Sequence, residues 1–171
     1  QAADQASRSH AFEHREFFVR WLIDEIKCGK SKADKCGYKF SVRLNNTSDI
    51  SPLSFYIQEG NTSKNILELF PHIMFYDYSK VPNRVEIMKK YKNYDLTFSF
   101  SGYNMDVCKE MLKNNVRVAM VFKQVPKTFM GFKVIDGDKY DMRYKDKKGG
   151  IVGLKFKVVK NKIPENSKFV I

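Results

Sequence analysis

Between Ala6 and Lys27 the apolar residues fall at helical intervals. Ala11, Phe18, Leu22 and Ile26 form one line, with Phe12, Val19 and Ile23 beside it. A stripe of that width belongs to an amphipathic helix packed on a core. Trp21 extends the stripe or marks a docking edge, and Gly29 is placed to stop the helix before the polar connection over 30–37. The period then changes to two: Phe40, Val42 and Leu44 alternate with polar residues and predict a strand over 40–45. Further apolar runs predict strands near 72–78, 94–100, 116–122, 132–136 and 151–158, the run VRVAMVF being apolar enough to be buried on both faces.

Helical segments separate several of these strands. One begins near the capping residues Asn61, Thr62 or Ser63, carries Ile66, Leu67 and Phe70, and ends at Pro71. A second starts at Pro82 and passes Val85, Ile87 and Met88 to about Lys90. A third is capped by Asn104 and presents Val107, Met111 and Leu112. The stretch 50–60, with Pro52, reads as an irregular excursion, and 123–131, broken by Pro126, is too short for a crossover helix. The polar tail from Asn161 is placed to add an edge strand with its last residues. Strand–helix alternation predicts right-handed crossovers and a mostly parallel sheet of about six strands within one α/β domain over 1–171. An eight-unit barrel takes about 250 residues, so the expected form is an incomplete (β/α)-barrel-like sheet or a curved open one.

Composition adds three points. A hydrophobic fraction of 43% with 14% aromatic residues is globular, and no apolar run approaches the ~18 residues of a membrane span, so no membrane partner is expected. The start, QAADQASRSH, has neither an initiator Met nor the apolar core of a signal peptide, and reads as a processed product or the later part of a longer chain. Net charge is +12, from 31 basic and 19 acidic residues, which favours nucleic acid or another polyanion or else is a lysine-rich solvated surface. Cys28, Cys36 and Cys108 follow neither a disulfide nor a zinc spacing and suggest unpaired thiols in a reducing compartment.

Candidate chemistry sits where strands end. In a parallel sheet those ends share one rim, which collects Arg43, Asn45, Thr47, Ser48 and Asp49; then Asp77, Tyr78, Lys80, Asn83 and Arg84; then Ser99, Ser101 and Asn104; and then Asp136, Asp138, Asp141, Arg143 and Lys155. As a catalytic set the reading takes Arg43, Asn45, Asp49, Asp77, Lys80, Ser99, Ser101, Asp136 and Asp138. Asp49, Asp77, Asp136 and Asp138 are hard oxygen ligands of the kind a divalent cation uses in phosphoryl chemistry, although Asp also favours turns and caps. Lys80, Arg84, Arg143 and Lys155, with Tyr78 and Asn83, form a second reading, an anion pocket for a phosphate or carboxylate. The histidines His10, His14 and His72 lie away from that rim and do not activate a serine, and neither a Walker-type loop nor GxGxxG is present. Tyr76, Tyr78, Phe98, Phe100, Tyr103, Tyr140 and Tyr144 suit stacking on single-stranded bases or plain core packing.

In order along the chain, SVRLNNTSDI, LFPHIMFYDYSKVPNR, YDLTFSFSGYN and VIDGDKYDMRYKDKKGGIVGLKFK resemble the signatures of an uncharacterised bacteriophage protein family, a domain of unknown function. The matching residues are Arg43, Asn45, Thr47, Ser48, Asp49, Asp77, Tyr78, Lys80, Pro82, Asn83, Arg84, Ser99, Ser101, Asp136, Gly137, Asp138, Asp141 and Arg143. Asn46 stands where relatives commonly have Gly, and Phe100 where they often have a base. The resemblance implies a phage-encoded protein of the host cytoplasm, similar to the later strands of a partial TIM-like barrel of the radical-enzyme type. Its relatives carry an added cysteine-bearing N-terminal segment suggestive of a metal or iron–sulfur site. Three functions are therefore expected: an enzyme or enzyme fragment acting on a phosphorylated or nucleic-acid substrate, a non-catalytic basic module that binds nucleic acid or protein, or the C-terminal part of a cysteine/iron–sulfur radical-type enzyme whose cofactor segment is missing.

Overall fold

The computed structural model describes residues 2–45, 48–157 and 168–171, with side chains from residue 14 onward. Asn46, Thr47, the end of the sixth expected strand at Val158 and the side chains of His10, Ala11 and Phe12 lie outside the described residues. The elements are α1 (Ala2–Lys35), β1 (Ser41–Arg43), β2 (Tyr56–Glu59), β3 (Thr62–Asn65), α2 (Ile66–Leu69), β4 (Met74–Ser79) and α3 (Arg84–Lys90). They continue with β5 (Tyr94–Ser99), α4 (Met105–Lys113), β6 (Arg117–Phe122), β7 (Thr128–Phe129), β8 (Phe132–Asp136) and β9 (Ile151–Lys155). Short 3-10 turns occupy Pro52–Ser54 and Arg143–Lys145.

Among the described residues seven strands form a sheet in the order β1-β4-β5-β6-β9-β8-β7, and β2 and β3 form a separate hairpin. β6 pairs parallel with β5 and β9, and β9 parallel with β8, whereas β7 is antiparallel to β8. The protein is thus mixed α/β with a mostly parallel, open sheet, and no barrel closes. The chain divides into two compact units, one of Gln1–Leu44 with Ile50–Phe75 and one of Asn45–Asp49 with Tyr76–Ile171.

In the first unit α1 buries Val19, Ile23 and Ile26 and leaves Phe17, Phe18 and Trp21 exposed. The Phe18 ring lies 6.2 Å from Phe55, and the Arg15 guanidinium sits 3.8 Å over Tyr56. Gly29 does not stop this helix, which runs on to Lys35 and turns off at Gly37, with φ +69°. A Cβ on Gly29 would stand 2.9 Å from the Phe40 ring, so that glycine serves close packing. The β2–β3 hairpin takes up the end of the stretch expected to be irregular (50–60) and, with β3, the start of the segment expected to be helical. Its two-residue turn is Gly60–Asn61, between the paired Glu59 and Thr62, with φ +60° at Gly60. Helix α2 accordingly starts later than expected. Asn65 Oδ1 accepts the N–H groups of Leu67 and Glu68, and Glu68 Oε2 takes the Asn65 N–H at 3.1 Å, a reciprocal cap.

In the second unit the sheet has two distinct faces. Asp77 and Ser79 alternate with Tyr76 and Tyr78 along β4, as Leu96 and Phe98 alternate with Asp95 and Thr97 along β5. All of Arg117–Met120 is buried on β6, in keeping with a strand covered on both faces. The β7–β8 hairpin closes through Met130 and Gly131, with φ +50° and +79°, the left-handed pair of a type I′ turn. The tail joins the sheet beside β6 and not at an edge. Val170 bridges Val121 in parallel, and Ile171 exchanges bonds of 2.9 Å with Val121 and Lys123. Since β9 occupies the other side of β6 up to Phe122, the tail takes the place that β5 vacates after Ser99.

Candidate functional site

The loop after β1 carries Asn45 and Asp49 onto β4. Buried Asp77 accepts the Asn45 N–H at 3.0 Å and its Nδ2 at 2.8 Å, and Ser48 Oγ donates to Asn45 Oδ1 at 2.7 Å. Asp49 accepts Ser79 Oγ at 2.7 Å and the Lys80 N–H at 2.9 Å, while Ser79 Oγ receives the Val81 N–H at 3.0 Å. Arg84, at the start of α3, donates Nη2 to the Asp49 carbonyl at 2.8 Å and stands 3.6 Å from its carboxylate. Tyr94 is buried near these groups. Burial first, and the Asp77 charge second, push its pKa far above the ordinary tyrosine value, against the pull of Arg84. Asn45, Asp49, Asp77 and Arg84, all expected on one rim, do come together here, and Lys80 joins them through its backbone N–H while its side chain is exposed. Each is held by folding bonds, however, and Asp77 and Arg84 are closed off from solvent.

On the opposite face lies a polar layer in which Tyr78, Asp141 and Arg143 were expected site residues, while Asp95, Arg117 and Asp146 were not singled out in the sequence. Arg117 Nη2 pairs with Asp95, and its Nη1 donates to the Asp146 carbonyl at 3.0 Å. Arg143 donates to the Tyr140 carbonyl, and its Nη1 is 3.0 Å from Asp146 Oδ2, whose other oxygen takes the Tyr140 hydroxyl. Tyr76 and Tyr78 both donate to Asp141 at 3.3 Å. The available signal was a single charge inside each of two otherwise apolar strands, YDLTF and VRVAMVF. A lone opposite charge on each of two adjacent strands indicates a buried pair.

The third group lies at the β8 and β9 ends. Asp136 Oδ1 accepts the Asp138 N–H at 2.9 Å, a local turn. Asp138 Oδ2 accepts the Lys155 N–H at 2.9 Å, and Lys157 Nζ approaches its Oδ1 at 3.4 Å. The Lys155 N–H, joined by the Lys157 and Lys155 charges, holds the Asp138 carboxyl below the usual aspartate range against the opposing effect of burial. Gly137 donates to the Gly153 carbonyl at 2.8 Å, and a Cβ on it would lie 2.6 Å from a Val152 methyl and 2.8 Å from one of Leu154. These strand ends border an open cleft of about 710 Å³ lined by Gln124, Val125, Pro126, Lys127, Val134, Asp136, Asp138 and Lys155.

The single rim pocket expected from the sequence is therefore divided. Asp77 and Asp136 sit on strands four places apart in the sheet order, roughly 19 Å at the spacing of neighbouring strands. Asp49, Asp77, Asp136 and Asp138 form two separate pairs. Among the described residues no group of three or more His, Cys, Asp or Glu side chains could hold a metal ion. The cysteines add none: Cys28 and Cys36 are exposed on and just after the end of α1, and Cys108 is buried, its thiol pushed up to about 11 by burial. Nor do the bases meet as an anion pocket. Arg84 is held by Asp49, Arg143 is buried against Asp146, Lys80 is exposed beyond β4 and Lys155 lies on the cleft. Ser99 and Ser101 are half-buried and tied by Asn104, which donates to the Ser99 carbonyl at 3.1 Å and accepts the Ser101 N–H at 2.8 Å. This occupies Asn104 in place of the expected cap on α4. Asn83 makes no cap bond to α3, Tyr78 faces Asp141, and Arg43 is half-buried on β1.

Fold and site together define a class: an open α/β sheet with one locked polar edge and one cleft-bearing basic edge. The family model described as Gene product 88 matches residues 1–169, and the chain belongs to that uncharacterised phage-type family. No curated protein and no solved structure matches it. Among the described residues no helix is long and apolar enough to cross a membrane.

Proposed function

We propose that the protein is a basic nucleic-acid-binding module, working in the reducing cytoplasm of the host, that grips phosphates through the segment between Lys123 and Lys157. That segment has ten basic residues against four acidic ones, half of the net charge of +12. One observation carries the reading: all four acids already have internal partners. Asp136 holds the Asp138 N–H, Asp138 the Lys155 N–H, Asp141 two tyrosines, and Asp146 Tyr140 and Arg143. Lys123, Lys127, Lys133, Lys139, Lys145, Lys147, Lys148 and Lys155 are exposed. The ten bases of the segment outnumber its four acids, so the field that reaches a partner is positive, and counterion release drives binding.

A catalytic role on a phosphorylated substrate is the second reading, favoured by Asp136 and Lys155 standing together at the strand ends that border the cleft. The test is fluorescence anisotropy with labelled single strands and duplexes at salt concentrations between about 50 and 200 mM. Binding weakens steeply with salt, and replacing Lys145, Lys147 and Lys148 by Glu lowers affinity at least about tenfold with the circular dichroism spectrum unchanged. Absence of binding at low salt, or indifference to the triple substitution, would overturn the module reading. Product release from a phosphorylated substrate, abolished by Asp136→Asn, would favour the second.

A further inference from the structure

We infer that the cleft at the ends of β8 and β9 is a seat for one ribonucleotide unit, which takes its phosphate on Lys127 and Lys155 and its 2′-hydroxyl on Asp136. This rests on the nucleic-acid reading and names the sugar chemistry that reading leaves open. At about 710 Å³ the cleft falls within the range of small-molecule sites. Its floor includes Val125, Pro126 and Val134, apolar surface suited to a sugar or base face. Its cations are exposed, and among the described residues neither Lys127 nor Lys155 forms an ion pair. Its two acids are unusual for a plain phosphate site, because carboxylates repel the ligand the lysines attract; Asp138 is engaged by the Lys155 N–H and Lys157. Asp136 spends Oδ1 on the Asp138 N–H, and no described group donates to its Oδ2. Ribose hydroxyls supply the donors that a carboxylate accepts, and the 2′-hydroxyl is the group that separates RNA from DNA.

The frame around these groups is rigid. Val134 donates to the Lys127 carbonyl at 3.0 Å, which fixes one wall. A Cβ on Gly153 would stand 2.6 Å from methyl groups of Val125 and Val134, so only glycine lets the loop and β8 close on β9 there. Seats held by such close backbone approach can discriminate by single hydroxyls.

The experiment uses the full chain with labelled oligonucleotides of one sequence as RNA and as DNA, with adenosine 5′-monophosphate, its 2′-deoxy form and ribose 5-phosphate as competitors. RNA binds about tenfold more tightly than DNA, the gain expected of hydrogen bonds to a charged acceptor. Asp136→Asn, which keeps an oxygen for the Asp138 N–H, brings the two close to parity. Lys127→Met and Lys155→Met weaken both strands alike. Displacement by the free ribonucleotide identifies a mononucleotide as sufficient, and displacement only by RNA assigns the seat to one residue of a strand; either supports the inference. Equal, salt-sensitive binding of RNA and DNA overturns the ribose seat while leaving polyanion binding standing. Loss of all binding to both removes the module reading itself. An RNA preference intact in Asp136→Asn also overturns the seat, whatever the lysine variants do.

Discussion

The Asp95–Arg117 pair is the sharpest test of how the second unit is held together. The two side chains are 8% and 1% exposed, so solvent does little to screen either charge. Removing one partner leaves the other buried and uncompensated, at a cost of about 3–5 kcal/mol. Arg117→Met should lie at the upper end of that range, because it also strips the donor from the Asp146 carbonyl. Asp95→Leu should lie at the lower end. The double variant replaces two desolvated ions by apolar groups of similar volume and should return close to wild type, or exceed it. A strong positive coupling therefore appears in the double-mutant cycle. Urea unfolding is the assay. At an m-value of about 2 kcal/mol/M, each single substitution lowers the midpoint by roughly 1.5–2.5 M. Circular dichroism is the signal to follow, since the lone Trp21 belongs to the other unit. Single variants that lose under about 1 kcal/mol, or additive losses in the double variant, would refute the claim that this pair is buried and mutually dependent.

Three further outcomes can be checked on the same material. Met130 holds a left-handed φ of +50° in the β7–β8 turn, which costs a non-glycine residue about 1–2 kcal/mol; Met130→Asn should recover about 0.5–1 kcal/mol in urea unfolding, and a neutral or lower midpoint contradicts the turn type. In a thiol titration at neutral pH, exposed Cys28 and Cys36 react at once, while Cys108, buried with its pKa pushed up to about 11, reacts only on unfolding; a third rapid equivalent contradicts its burial. The folded pKa of Asp138 is depressed, so its charged form stabilises the fold above the ordinary value of 3.8, and that contribution is lost as pH falls through the lower folded value. Melting curves from about pH 2 to 5 should therefore fall less steeply for Asp138→Asn than for wild type, and parallel curves contradict the assignment.

What could be read from the chain depended on how strongly local pattern and tertiary role coincide. The strands at β4, β5, β6 and β9 were legible because largely buried strands read as apolar runs, and β8 was legible from its short apolar alternation although only Val134 is buried there. The β2–β3 hairpin was not, because β3 (TSKN) is mostly exposed and has no apolar alternation. The Gly60–Asn61 pair is a recognised hairpin signal, but Asn61 also fits a helix cap, and the helical alternative was preferred. β7 is two residues long, and its turn uses Met-Gly where Asn-Gly would have announced itself. At the site, the polar tips of the β1 and β4 region were legible as neighbours, since their hydrogen bonds follow from one adjacent loop and strand. Asp95 and Arg117 were absorbed into strands read as apolar, where their opposite charges could have marked them as a pair.

The openness of the sheet decides where function can reside. In a closed barrel every strand end faces one mouth, and the locked Asn45–Asp77–Asp49–Arg84 group would share it with Asp136 and Lys155. Here about 19 Å separates the two edges, at ordinary strand spacing, so a small ligand touches one of them. At the β4 edge a ligand would first have to displace hydrogen bonds made by buried charges, each expensive to leave unmet. At the β8–β9 edge the lysines are exposed, Asp136 has an acceptor to spare, and the backbone beneath is fixed by Gly137 and Gly153. Ligand binding there replaces bonds to water and not bonds of the fold. That asymmetry makes the β4 edge a structural lock and leaves the β8–β9 edge as the place for the binding proposed above.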